Sequence, residues 1–141
     1  MTASALAESA SVAAARGEQA RAEDLLAQVL NLMRANDWAE GRQPQVLDTA
    51  ALVAIRANPL VSASLFGAGD ALRERAQVPR YPADARYIAE WVEVARAEAT
   101  DAEFDASYQR GLALSPDEAL AMVERFLRTE APLRGSTEES G

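Results

Sequence analysis

Residues 59–127 decide the fold, and they read PLVSASLFGAGDALRERAQVPRYPADARYIAEWVEVARAEATDAEFDASYQRGLALSPDEALAMVERFL. Alanine, leucine, glutamate and arginine dominate this stretch, and all four residue types favour the α-helix. β-branched residues are sparse, and no segment alternates apolar and polar residues as a half-buried strand would. The stretch therefore predicts an all-α fold.

Capping residues and prolines predict where helices begin along the whole chain. Asn58 is a capping residue directly before Pro59, which suits the first helical position. Ser115 precedes Pro116 in the same way, and Glu118 completes a capping box. About six helices are predicted, with one further short segment over 101–110. The predicted helices cover 3–15, 20–35, 44–56, 59–76, 83–97 and 116–128.

Four glycines and one aspartate predict helix ends and close helix contacts. Gly17 and Gly111 each stand where a helix is expected to stop, and Gly111 is expected to adopt the left-handed conformation there. Gly67 and Gly69 lie inside a predicted helix, where each costs about 1 kcal/mol relative to alanine. That cost predicts a neighbouring helix packed closely against them. Asp101 is expected to cap the short segment.

Small residues recur at the positions where the paired helices of a tetratricopeptide unit, about 34 residues long, approach each other. Ala10 and Ala22 take these positions in a first hairpin, and Ala50 and Gly69 take them in a second. The chain therefore predicts two degenerate hairpins over 3–76. An irregular helical bundle stays open, because an alanine-rich chain fills small-residue positions easily.

The domain organisation follows from this pattern. Residues 1–134 are predicted to form one helical-repeat domain, in which 82–128 cap the hairpins and cover their last apolar face. Residues 135–141 are polar and lack apolar anchors, so they are expected to be disordered. The cap holds five aromatic residues that are interpreted as its core, or alternatively as an aromatic pocket. They are Tyr87, Trp91, Phe104, Tyr108 and Phe126.

These features resemble a known protein family. The segment Leu65-Phe66-Gly67-Ala68-Gly69-Asp70-Ala71-Leu72-Arg73-Glu74, the later prolines and aromatics, and Ser115-Pro116 resemble the C-terminal helical-repeat tail of large ATP-binding bacterial transcription regulators of the LuxR/MalT-like and AfsR-like kind, and of related cyclase-ATPase fusions. The resemblance implies a helical module for sensing, self-association or contact with other domains. No residue matches the NTPase or DNA-reading motifs of those proteins.

The composition makes an enzyme an unfavourable interpretation. The 141 residues suit one domain and include no cysteine, histidine or lysine, which removes thiol, imidazole and Schiff-base chemistry. Carboxylate pairs such as Glu23 and Asp24, or Asp117 and Glu118, are adjacent in sequence and do not face each other on a helix. A non-enzymatic protein without cofactor or metal is expected.

The charge and hydropathy predict the surroundings of the protein. The net charge of −8 repels nucleic-acid phosphates and anionic membranes, so neither is expected as a direct partner. No apolar run reaches the ~20 residues that a membrane span needs. The N-terminus lacks the features of a signal peptide, and the expected location is the cytoplasm.

Two hypotheses for function follow. The first is a protein-interaction and regulatory module, which binds a protein partner or a second copy through the apolar face of the N-terminal helix. Its candidate partner-binding residues are Leu6, Ala10, Leu47 and Ala51. The second is a small-molecule sensor, which binds an apolar ligand in the cap at Tyr87, Trp91 and Tyr108. A large apolar cavity in the cap with one or two inward polar groups would favour the sensor.

Overall fold

The computed structural model describes residues 3–35, 43–77, 79–80 and 82–140, with side chains described for 5–35, 43–77, 79–80 and 82–129. Every regular element in these ranges is a helix, which confirms the predicted all-α class. The helices are α1 (Ala3–Ala15), α2 (Gln19–Ala35), α3 (Gln43–Ala54), α4 (Pro59–Ala76), α5 (Pro82–Glu98), α6 (Asp101–Leu112) and α7 (Pro116–Ser140).

The helices pack as two hairpins, and α5, α6 and α7 each contact α4 of the second hairpin. α1 packs on α2, α3 packs on α4, and α3 also contacts α1 and α2. Two side chains join the hairpins: Gln19 Nε2 donates to the carbonyl of Val53 at 2.6 Å, and Arg56 Nη1 donates to that of Ala14 at 3.2 Å. α6 lies against α4, while α7 contacts α2, α3 and α4.

Two of the predicted helix starts are confirmed and one is corrected. Asn58 accepts from the Val61 amide at 3.2 Å, and Ser115 forms the capping box with Glu118. α6 is capped by Thr100, whose hydroxyl accepts from the Glu103 amide at 3.1 Å, so the prediction of Asp101 as the cap is wrong. Thr100 has the extended backbone that a capping residue requires, whereas the residue after it is already helical.

Gly111 does not end a helix, contrary to the prediction, because α6 continues to Leu112. It is buried, and a Cβ atom at this position would lie 1.9 Å from the carbonyl oxygen of Ser64 on α4. Gly67 makes the reciprocal contact, since its Cβ would lie 2.3 Å from the carbonyl oxygen of Tyr108. The close contact predicted at Gly67 is therefore confirmed, and its neighbour is α6.

A buried hydrogen bond reinforces this contact between α4 and α6. Ser64 Oγ donates to the carbonyl oxygen of Ser107 at 2.9 Å, and both residues are buried. A larger side chain at either position would push the helices apart. The small residues thus set how closely α6 lies on α4.

Several apolar residues of α1 point into the core. Leu6, Ala10 and Ala13 are buried with the apolar residues of α2 and α3. Among the side chains that the structure describes, the large apolar ones with high exposure are Val12 and Tyr87. On α1, Val12 is thus the large apolar side chain with high exposure among those described.

The last helix is longer than predicted. α7 continues to Ser140, so its predicted end near residue 128 is wrong. The capping box at Ser115 satisfies the first turn of this helix. The disorder predicted for 135–141 concerns motion in solution and stays a prediction, and Gly141 lies outside the described residues.

Replacing Gly111 by alanine should destabilise the protein, although alanine is the better helix former by about 1 kcal/mol. The new methyl group collides with the backbone of α4, and overpacking of this kind lowers the free energy of unfolding by about 1–3 kcal/mol. Urea denaturation measures the change. The exposed control Ala106→Gly on the same helix should lose about 1 kcal/mol from propensity alone. A Gly111→Ala protein more stable than the native chain would contradict the contact.

Candidate functional site

An open groove of about 460 Å³ lies between α4, α5 and α6, and it is called the α4–α5–α6 groove below. α4 contributes two side chains one turn apart, and α6 contributes another such pair. α5 contributes residues at helical spacing along one face. The lining consists of Phe66, Asp70, Arg80, Ala85, Ile88, Ala89, Val92, Glu93, Arg96, Phe104 and Tyr108.

The apolar part of the groove is a rigid aromatic floor facing a wall of small residues. Phe66 and Phe104 are 2% and 1% exposed, so both rings are packed in the core and little of either reaches the open volume. Ala85 and Ala89 on α5 lie across from them and have short side chains, which leaves the volume between the helices open. The accessible apolar surface of the groove therefore lies mainly on α5.

A network of charged side chains closes one end of the groove. Asp48 of α3 accepts from Arg80 Nε at 3.1 Å and from Arg80 Nη2 at 2.8 Å. Arg73 Nη2 lies 2.6 Å from the same carboxylate, and Arg80 Nη1 lies 2.9 Å from Asp70 Oδ1. Tyr108 donates its hydroxyl hydrogen to Asp70 Oδ2 at 2.7 Å. The network links α3, α4, α6 and the segment before α5.

Two buried polar atoms of this network lack a well-aligned hydrogen bond. Asp70 Oδ1 is in ion contact with Arg80, but the N–H of that guanidinium does not point along the line between them. Arg73 Nη1 is the second such atom. Unsatisfied buried polar atoms are costly, and Asp70 Oδ1 lies on a residue that lines the groove.

The network shifts two pKa values. Burial lowers the pKa of Arg80, but the hydrogen bonds and charges of Asp48 and Asp70 outweigh burial and raise it, so Arg80 stays a cation. Burial, together with the acceptor and charge of Asp70, raises the pKa of Tyr108 to about 12. Tyr108 therefore remains a neutral hydrogen-bond donor at neutral pH.

Arg96 fixes the other end of α5 to α6. Its Nη1 lies 2.9 Å from Asp105 and 3.7 Å from Asp101, and its guanidinium carbon lies 4.4 Å from the centre of the Phe104 ring. A cation over an aromatic face is attracted by the ring quadrupole. Both arginines of the groove thus already have partners.

The structure places one of the three residues of the predicted aromatic site in the groove. Tyr108 lines it, whereas Tyr87 and Trp91 lie outside its lining and pack edge to face with ring centres 6.4 Å apart. Tyr87 is 41% exposed. Sequence reasoning missed Asp70 and Arg80, because Arg80 joins Asp48 across 32 residues of chain and no local pattern signals that pairing.

The predicted partner-binding residues lie in the core rather than on the surface. Leu6 is 6% exposed, and Ala10, Leu47 and Ala51 are 0% exposed. Their side chains contact neighbouring helices of the same chain, so a partner of the folded protein would meet other residues. Binding through the N-terminal helix stays a prediction, but these four residues are not its contact surface in this structure.

No protein-family model, curated protein or solved structure matches the chain. The resemblance to transcription regulators therefore stays a prediction. Among the described residues, no helix combines the length and apolar character needed to cross a bilayer. Within the same ranges, no three or more acidic, histidine or cysteine residues are grouped so that they could hold a metal ion.

The high pKa of Tyr108 predicts that alkali weakens folding. The folded chain holds the phenolic proton more tightly than the unfolded chain, whose tyrosine has the ordinary pKa of 10.0. The resulting stabilisation is complete below pH 10 and is lost as the pH rises through about 12. Urea denaturation of the native chain and of Tyr108→Phe across this range measures the loss.

The free energy of unfolding should fall more steeply with pH in the native chain than in Tyr108→Phe. The other tyrosines titrate in both proteins, so the difference between the two reports Tyr108 alone. The double variant Tyr108→Phe/Asp70→Asn serves as a control, in which both partners of the hydrogen bond between residues 108 and 70 are changed. Identical pH dependence of the native chain and Tyr108→Phe would contradict the hydrogen bond between Tyr108 and Asp70.

Proposed function

We propose that this protein is a non-catalytic sensor domain, which binds a small, partly apolar ligand in the α4–α5–α6 groove. The observation that carries the proposal is the groove itself. Its volume of about 460 Å³ lies in the range of small-molecule sites, and its lining combines six apolar side chains with five polar or charged ones. This proposal follows the second hypothesis from the sequence. It keeps Tyr108 as a binding residue and leaves out Tyr87 and Trp91, which lie outside the lining of the groove.

The packing of α5 supports a role in signalling. Of its residues, only Ile88 and Ala95 are buried, and its first turn is exposed. Helices with few buried contacts open or shift at low free-energy cost. A ligand that contacts both α5 and the rigid floor would add the contacts that α5 lacks, and so change its position or order.

A catalytic role is less well supported by the side chains of the groove. Asp70 and Glu93 both line it, and paired carboxylates can act as acid and base. Asp70, however, is held by Arg80 and by the hydroxyl of Tyr108, so both of its oxygens already serve the network. Binding without chemistry is the simpler function for such a site.

The second candidate is a protein-interaction module of a transcription regulator, built on tetratricopeptide-like hairpins. The favouring observation is that α3 contacts both helices of the preceding hairpin, as stacked repeats do. A protein partner or a second copy would then meet the outer face of α1. Val12 is the exposed apolar residue there, since Leu6 and Ala10 are buried.

Filling the groove should abolish ligand binding. Ala89 lines the groove on α5, and Ala89→Leu places a larger side chain in the open volume. With the neutral probe 3-phenylpropan-1-ol, amide NMR shifts should cluster on α4, α5 and α6 in the native chain and disappear in Ala89→Leu.

The matched control is Ala97→Leu, an equal enlargement at an exposed position of α5 outside the lining. It should bind the probe like the native chain. Loss of binding in both variants, or shifts spread over α1 and α2, would contradict the site. Absence of any shift would favour the interaction module.

A further inference from the structure

We propose that the ligand is an organic cation, a protonated amine carried on an apolar body, rather than an anion. The inference rests on the proposed function and names the ligand class for the same groove. It follows from which charged groups of the lining already have partners and which are open to a ligand.

The guanidinium groups of the groove are occupied. Arg80 is held by Asp48 through two hydrogen bonds and contacts Asp70 through its third nitrogen. Arg96 is paired with Asp105 and covers the ring of Phe104. An anionic ligand at Arg80 would have to displace the buried carboxylate of Asp48, which would then lose its compensation.

One of the two carboxylates that line the groove is open by comparison. Glu93 lies on the lining face of α5 and is exposed, and among the described residues none donates a hydrogen bond or an ion pair to it. Asp70 is not open, because Arg80 and the hydroxyl of Tyr108 hold its two oxygens. An ammonium group has three donors and a positive charge, so it suits the open carboxylate of Glu93.

The remaining features of the protein favour the same ligand class. The net charge of −8 attracts cations toward the surface and repels anions. Ile88 and Val92 line the groove on the same helix as Glu93 and offer apolar contact to the body of the ligand. Charge and shape therefore select an amphipathic amine.

Three probes of nearly equal size and different charge test the inference. They are 3-phenylpropylamine, 3-phenylpropan-1-ol and 3-phenylpropanoate, titrated into the native chain at neutral pH and physiological ionic strength, with amide NMR as the readout. The amine should bind about tenfold more tightly than the carboxylate, because the carboxylate of Glu93 attracts the amine and repels the anionic probe.

Two variants distinguish binding in the groove from attraction by the overall charge of the protein. Glu93→Gln should lower the affinity for the amine about twofold to fivefold and leave that for the alcohol unchanged. Glu90→Gln removes the same charge from α5 at an exposed position outside the lining, so it should keep the native affinity. Equal losses in both variants would show a general charge effect and overturn the inference.

The outcome also distinguishes the inference from the proposed function. If the alcohol or the carboxylate binds the groove as tightly as the amine, the ligand class is wrong while the sensor site stands. If none of the three probes shifts residues of α4, α5 and α6, both the ligand class and the site are overturned.

Discussion

The contact between the backbones of α4 and α6 determines the rest of the structure. It exists because Gly67 and Gly111 have no Cβ atom, so a carbonyl of each helix fits into the space that a side chain would fill. Side chains at Phe104 and Tyr108 are thereby brought beside Phe66 and Asp70 of α4. The floor of the groove is a direct consequence of the missing methyl groups.

Ion pairs then decide where α5 lies. The buried carboxylate of Asp48 needs compensation, and Arg80 supplies part of it from the segment that leads into α5. At the other end, Arg96 binds Asp105 on α6. α5 is therefore attached near both ends by charged groups, while only Ile88 and Ala95 along it are buried. A helix held in this way spans the groove without filling it.

Much of the fold could be predicted from the sequence, because the signals for helices are local. The caps at Asn58 and Ser115 satisfy amides three residues away, and their residue types show this without a structure. The role of Gly111 could not be predicted, since it depends on Ser64, which is distant in sequence. For the aromatic site, helical spacing shows that Tyr87 and Trp91 share a face, but it does not show that the groove lies on another face of α5.

The central claim is that the groove has a rigid floor and a loosely packed wall, and amide hydrogen exchange tests it most directly. The amides in the interiors of α4 and α6 should exchange only through global unfolding, since their buried contacts open last. The amides of α5 should exchange at least about tenfold faster, through local opening. Equal protection of all three helices would contradict the account, because α5 would then belong to the rigid core and could not respond to a ligand.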